Sequence, residues 1–272
     1  MKHVRALKAE PNLLAQYRNA NPNEQSRPAD QAAAAWDTFK TDKPAYAELL
    51  GQLAQTQQGL CAYCEQRLVD ATGQLVPNDY QIEHVLAKSG AVGRVLDWTN
   101  LALACIGGTY KHHQDVSRRF TDKRDTSCGQ AKGDDDLPPG GDPRGHPLLD
   151  PLVEVGIDGR LSVNGQNCTA AGIAPKVVAD TITLLNLDCE RLRKTRQDRR
   201  DNVNSWLIPL LTELLAEAHL GHAQRQQMLD LIIAGRLQPD GLGYLRAFWT
   251  TERSALGSDA ETWVSNNQAQ LA

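Results

Sequence analysis

The sequence predicts a mainly α-helical chain with a small α+β insert. Three observations carry this. Apolar residues recur at helical spacing up to about residue 60 and again after Pro175. From Cys61 to Gly133 that periodicity gives way to Cys, His, Gly and short apolar runs. An acidic Pro/Gly segment from Asp134 to Pro143 then reads as a loop.

In the first region, Ala29 to Lys40 is Ala-rich and helical, and the polar stretch before it, Asn19 to Pro28, is expected to be loop. Asp42-Lys43-Pro44 is a helix start, a capping side chain followed by Pro in the first turn. Tyr46, Leu49, Leu50 and Leu53 fall on one face of that helix, which Gly59 closes. After the insert, Val153-Glu154-Val155 and Leu161-Ser162-Val163 flank the turn dipeptide Asp158-Gly159, a hairpin signal. Beyond Pro175, three apolar stripes predict helices: Val178, Ile182 and Leu185; Leu207, Leu210, Leu211, Leu214 and Leu215; and Met228, Leu229, Ile232 and Ile233. The expected organisation is an N-terminal helical region (1–60), the insert (61–150), a hairpin and linker (151–175) and a C-terminal helical region (176–272).

Composition bounds the function classes. The chain has 272 residues, 29 Lys+Arg against 33 Asp+Glu, a net charge of −4 and 41% hydrophobic residues. That excludes a disordered chain and a uniformly basic coat for nucleic acid, so any nucleic-acid contact must be a local basic patch. The N-terminus shows no apolar run of the kind that directs secretion, and the most apolar stretch, Leu207 to Leu215, is too short to span a bilayer. A cytoplasmic protein with reduced thiols is the expectation.

Six cysteines are too few for a disulfide scaffold, so their spacing matters. Cys61-Ala62-Tyr63-Cys64 offers two thiolates on a tight turn, half of a tetrahedral metal site, which Cys105 and Cys128 can complete. The competing reading is a thiol redox pair. Such a pair opens a helix after a strand, whereas this one follows a helix and enters a loop-rich region, which favours zinc. Cys168 and Cys189 have no partner at ligand spacing and read as ordinary buried thiols.

Between the cysteine pairs lie Gln81-Ile82-Glu83-His84-Val85 and Asp97-Trp98-Thr99-Asn100-Leu101. A carboxylate beside a His on a short strand can divide labour: Glu83 holds a hard divalent cation through oxygen while His84 takes a proton from water. A downstream Asn amide can brace the loop and orient the ring. Singly each element is weak, since one Glu-His pair also reads as two polar residues on the surface and one Asn is most often a turn or helix cap. The ordered series CxxC, Glu-His, Trp-x-Asn-Leu, Cys, then Cys128-Gly129-Gln130-Ala131-Lys132-Gly133 is far more specific.

That series resembles the HNH endonucleases of the ββα-metal class, zinc-knuckle variety. Its sub-pattern is similar to the PtuB-like HNH proteins of Septu and retron-associated anti-phage systems. His146-Pro147-Leu148-Leu149-Asp150-Pro151, Asp158-Gly159 and Leu184-Leu185-Asn186-Leu187 also resemble that family's region after the nuclease motif. The likeness spans residues 45 to 200 in outline and is specific only from Cys61 to Gly133. It implies metal-assisted phosphodiester hydrolysis with His84 as general base, Glu83 on Mg²⁺ or Mn²⁺, Asn100 structural, and a structural Zn²⁺ on Cys61, Cys64, Cys105 and Cys128. It also implies an ATPase partner in phage defence. This chain departs from the pattern at the third HNH position: Gly129 follows the last cysteine, where many members carry a His or Asn. His112 and His113 are the candidates to replace that ligand, with Gln130 and Asp134 weaker substitutes.

Two basic clusters stand against the acidic average. Lys111, Arg118, Arg119, Lys123 and Arg124 lie in the insert. Arg191, Arg193, Lys194, Arg196, Arg199 and Arg200 form a denser run, and in a helix Arg193, Arg196 and Arg200 share a face that suits a phosphate backbone. Nothing in these residues reads bases, so DNA and RNA both stay open as partners. The alternative function is a zinc-stapled nucleic-acid-binding or scaffold subunit without catalysis, which Gly129 keeps open. Trp206, Trp249 and Trp263 read either as core or as anchors at a partner interface.

Overall fold

The computed structural model describes residues 3–109, 123–217, 219 and 221–271. The chain begins with α1 (Asn12–Ala20), α2 (Pro22–Gln25), α3 (Ala32–Phe39) and α4 (Lys43–Thr56). The segment expected to be loop, 19–28, thus contains a one-turn helix with Pro22 in its first turn. The start of α4 follows its sequence signal: the Asp42 carboxylate accepts from the backbone N–H of Ala45 at 3.1 Å. Leu49, Leu50 and Leu53 bury the face of α4 that packs on α1, where Leu14, Tyr17 and Phe39 complete the layer.

The insert is a hairpin of β1 (Tyr80–His84) and β2 (Leu101–Cys105), paired antiparallel with Ile82 opposite Leu103 and His84 opposite Leu101. The short helix α5 (Gly129–Lys132) completes a ββα unit. Gln57, at the end of α4, acts as an extra strand residue on β2: its side-chain carbonyl accepts from Leu103 N at 2.7 Å and its amide donates to Leu103 O at 2.8 Å. That buried amide fixes the N-terminal helices to the hairpin.

A second hairpin, β3 (Val153–Val155) and β4 (Leu161–Val163), turns at Asp158-Gly159 as its dipeptide predicts. Then come α6 (Gly165–Ala170), α7 (Pro175–Leu184), α8 (Glu190–Ala216), α9 (His222–Leu237), α10 (Trp249–Asn266) and α11 (Gln268–Leu271). The last long helices enclose a second core of Val203, Leu207, Ile233, Leu237, Leu256 and Val264. Trp249 and Trp263 are buried in it and Trp206 packs against it beneath the Arg236 guanidinium, so these rings are core rather than free interface anchors. Met228 departs from its stripe and is 41% exposed. Within this core Glu252 is fully buried and paired with both Arg199 and Arg236, one charge joining α8, α9 and α10.

The insert and the C-terminal core meet at Glu65. Its backbone carbonyl accepts from Phe248 N, and its carboxylate accepts from Thr250 N and Thr250 Oγ1, both at 2.7 Å. The N–H of Thr250 is an orphan donor of the first turn of α10, so the residue after the CxxC caps a helix far along the chain. Arg253, also on α10, donates to the carbonyls of Leu148 and Leu149. Among the described residues no helix is long and apolar enough to cross a membrane.

Candidate active site and metal centre

Cys61 and Cys64 stand on the turn after α4, Cys105 ends β2, and Cys128 starts α5. All four thiols are buried, and their sulfurs lie within 4.8 Å of one another. Three Sγ–Sγ separations are 3.9 Å (Cys61–Cys128), 3.6 Å (Cys64–Cys105) and 3.5 Å (Cys105–Cys128). A tetrahedral zinc tetrathiolate with Zn–S near 2.3 Å has sulfur–sulfur edges of about 3.8 Å, so the quartet fits that ion. Backbone N–H groups of Cys105 and Gly107 point at the sulfurs of Cys61 and Cys105, as thiolate ligands require. Gly107 has φ +59°, and a Cβ on it would meet Ser127 O at 2.1 Å, so only glycine closes this turn. Cys168 and Cys189 are buried outside the quartet.

The knuckle therefore ties β2 to α5, and this brings Glu83 and His84 to one cleft of about 370 Å³. His84 is buried, with Nε2 donating to Val95 O at 2.9 Å. That bond fixes the tautomer and leaves the lone pair on Nδ1. Burial lowers the ring's pKa to about 4, so the imidazole is neutral at neutral pH. Trp36, from α3, meets the ring edge-to-face at 4.6 Å between centroids.

Asn100 spans the connection between the strands. Its Oδ1 accepts from Leu86 N at 2.8 Å, and its Nδ2 donates to Leu86 O at 2.9 Å and Arg94 O at 3.3 Å. It ties the start of the loop at Leu86 to Arg94, the residue before Val95, whose carbonyl orients His84. Its place is that of a brace.

Glu83 is also buried, but its carboxylate is already engaged. Lys132 Nζ lies 3.2 Å from Oε1, and Gln81 Nε2 donates to Oε2 at 3.3 Å. Burial raises its pKa while the Lys132 charge opposes that shift. Gly129 stands directly against Oε2: a Cβ at that position would lie 2.0 Å from it. A side chain at residue 129, the third position of the resembled motif, would therefore require the ends of the Glu83 and Gln81 side chains to move. Gln130 turns to Gln81 instead, donating to its Oε1 at 2.6 Å, and Asp134 is exposed at the cleft edge. His112 and His113 lie outside the described residues. Among the described residues, the cysteine quartet is the one group of three or more ligating side chains that converge, and Glu83 belongs to no such group. The described residues fit a tetrathiolate zinc and do not by themselves fit an oxygen-ligated dication.

The basic clusters are only partly where the sequence placed them. Lys111, Arg118 and Arg119 lie outside the described residues. On the face of α8 bearing Arg193, Arg196 and Arg200, the last two guanidiniums turn to backbone carbonyls instead of opening to phosphate. Arg196 is 3% exposed and donates to the carbonyls of Gly159 and Leu187, while Arg200 donates to Val155 O at 3.1 Å. Gly159 packs against the backbone carbonyl of Arg193. The periodicity is right and the outward orientation is not: a desolvated guanidinium satisfies carbonyls that the turn leaves unpaired. Cations that sequence patterning missed, Lys40 and Lys88, line the cleft with His84. They are single residues from separate segments, and only folding assembles them.

No protein-family model matches the chain. A curated protein from Escherichia coli, described as "Retron Ec83 putative HNH endonuclease", is 28% identical over 218 residues, covering 70% of this chain and 75% of the relative. The resemblance is to HNH endonucleases with a zinc knuckle. The HNH order is visible in three dimensions as strand, braced loop, strand and short helix, with the cysteine quartet behind it. Two residues of the HNH region carried no role on the basis of sequence. Lys132 pairs with Glu83, and Glu65 caps α10; both stand inside the motif series, which gave no hint of these partners.

Proposed function

We propose that this chain is an HNH endonuclease that hydrolyses phosphodiester bonds in nucleic acid. One observation carries the proposal: a neutral His84 whose Nε2–H is held by Val95 O, whose Nδ1 keeps its lone pair, and which lines a cleft beside Glu83. Such a ring can accept the proton of an attacking water at Nδ1 as the oxygen–phosphorus bond forms. Asn100 and Trp36 hold the imidazole in place, which shortens the search for a productive geometry. Lys88 and Lys40, the latter also paired with Asp37, line the same cleft and would meet phosphate charge there. The structural ion of the knuckle is Zn²⁺ in this proposal, and the hydrolytic cation is Mg²⁺ or Mn²⁺, held in part by Glu83. A retron setting follows the relative's name, and an ATPase partner and a role in phage defence follow the family resemblance.

A second reading, a zinc-stapled nucleic-acid-binding or scaffold subunit, is favoured by the engagement of Glu83 with Lys132 and Gln81. Incubating the zinc-loaded protein with plasmid DNA and with RNA, in Mg²⁺ or Mn²⁺, separates the two. Cleavage by the wild type and its loss in a zinc-loaded His84→Ala variant support the endonuclease. Equal cleavage by both would sink it, and binding without cleavage by the wild type would select the scaffold.

A further inference from the structure

Between β1 and β2 the chain runs from Val85 to Asn100, and this connection carries the carbonyl that orients His84. Asn100 grips it at Leu86 and at Arg94. A second side chain grips the next residue, Ala87, and the same Arg94. This is Asp136, which lies beyond the motif series in the acidic segment after α5. Its Oδ1 accepts from the backbone N–H of Ala87 at 2.6 Å, and Arg94 Nη1 donates to Oδ1 at 3.1 Å and to Oδ2 at 3.0 Å. Arg94 Nη1 also donates to Ala87 O at 3.2 Å, which closes a ring of three residues. Gly90 leaves room for the guanidinium, since a Cβ there would lie 2.3 Å from Arg94 Nη1.

Val95 follows Arg94, is buried, and accepts from His84 Nε2 at 2.9 Å. On the other side, Asp136 is tied to the knuckle. Cys128 leads into α5 and Lys132 ends it; Asp135 N donates to Lys132 O at 3.2 Å and Lys132 Nζ to Asp135 O at 3.0 Å. The path from the cysteine quartet to the imidazole thus runs through α5, Asp136, Arg94 and Val95.

We propose that Asp136 is a positioning residue for His84: it holds Ala87 and Arg94 together, fixes Val95 O, and so sets the direction in which the ring presents Nδ1. The use of that nitrogen as proton acceptor rests on the endonuclease reading; its orientation does not. The Asp136 and Arg94 side chains are 43% and 25% exposed, so their ion pair contributes little to global stability. Its effect is local. A carboxylate that accepts from a backbone N–H and a guanidinium makes short, directional bonds. Misplacing a catalytic group by about 1 Å costs about a hundredfold in rate.

The test uses the zinc-loaded full chain, isotope-labelled in histidine. NMR of the imidazole nitrogens reports the His84 tautomer and the exchange of its Nε2 proton with water. Asp136→Ala is expected to speed that exchange at least about tenfold and to mix the tautomers. Asp136→Asn keeps an oxygen for Ala87 N–H but loses the charge that holds Arg94, and an intermediate rate is expected. Asp135→Asn removes the same charge one residue earlier and is expected to leave His84 as in the wild type. Unchanged His84 signals in both Asp136 variants, with zinc content unchanged, overturn the proposal. An equal response to Asp135→Asn also overturns it, because the effect would then be one of charge alone. If Asp136→Ala does not fold, Asp136→Asn decides by the same criterion. In a cleavage assay the Asp136 variants are expected to lower kcat at least about tenfold with KM nearly unchanged, and an equal kcat counts against the positioning role. The NMR readout uses no cleavage, so a catalytically inert chain fails the endonuclease reading without failing this one.

Discussion

Oε2 of Glu83 fills the space in which a side chain at residue 129 would begin, 2.0 Å from the position of its Cβ. Restoring the His or Asn that many HNH proteins carry there is therefore expected to harm this protein. Gly129→His and Gly129→Asn require the Glu83 carboxylate to shift beside Lys132, at an expected cost of about 1–3 kcal/mol for overpacking. Thermal unfolding of the zinc-loaded variants measures this. An unchanged midpoint together with gained activity would show that the site accommodates the ligand after all.

The cysteine quartet joins three separate segments, so metal binding there is expected to be coupled to folding of the insert. One zinc per chain is expected by metal analysis. Cys105→Ser should lower that ratio and lower the unfolding midpoint, whereas Cys168→Ser should leave the zinc ratio at one. A reversible Cys61–Cys64 disulfide without stoichiometric zinc would revive the redox reading.

Glu65 and Thr250 are 185 residues apart in sequence and joined by two hydrogen bonds. Removing the cap with Glu65→Ala is expected to cost about 1–2 kcal/mol. In a double-mutant cycle with Thr250→Val, the two losses should not add, because the hydroxyl bond is lost once in either variant. Urea unfolding gives the coupling energy; strict additivity would show that the carboxylate does not couple the knuckle to α10.

His146 opens the His-Pro-Leu-Leu-Asp-Pro segment, is buried, and has its pKa lowered by that burial from 6.5 to about 4. The unfolded chain binds a proton near pH 6.5 that the folded chain refuses until about pH 4. Stability from this group is therefore fully present above pH 6.5, falls as pH drops toward 4 and levels off below it. Between pH 7.5 and 5 the loss is about 2 kcal/mol. His146→Gln keeps a donor for Gly140 O without titrating, so its unfolding free energy should fall less over that interval. Parallel pH curves for variant and wild type would remove His146 from the account.

Much of the frame was legible because it is written in local pattern. Asp42-Lys43-Pro44 starts α4 where its capping chemistry predicts, and Asp158-Gly159 turns the β3–β4 hairpin. Spacing singled out Cys61 and Cys64 and, together with the family resemblance, Cys105 and Cys128, and these four converge while Cys168 and Cys189 do not. Short-range periodicity failed where two solutions shared one pattern. The stripe Arg193, Arg196, Arg200 is equally a phosphate track and a docking face, and the carbonyls of Gly159, Leu187 and Val155 decided for the second.

The sequence by itself determined the order helix, insert, helix, and the residue types that converge at the knuckle and at Glu83-His84. Tertiary structure alone decided what stands against them. It set Trp36 on the His84 ring, Lys132 on the Glu83 carboxylate, and the bare Cα of Gly129 where a ligand was expected. The physical reason is range. Caps, turns and amphipathic faces act over a few residues, while burial of a charge is settled only when distant segments close around it and leave it one partner.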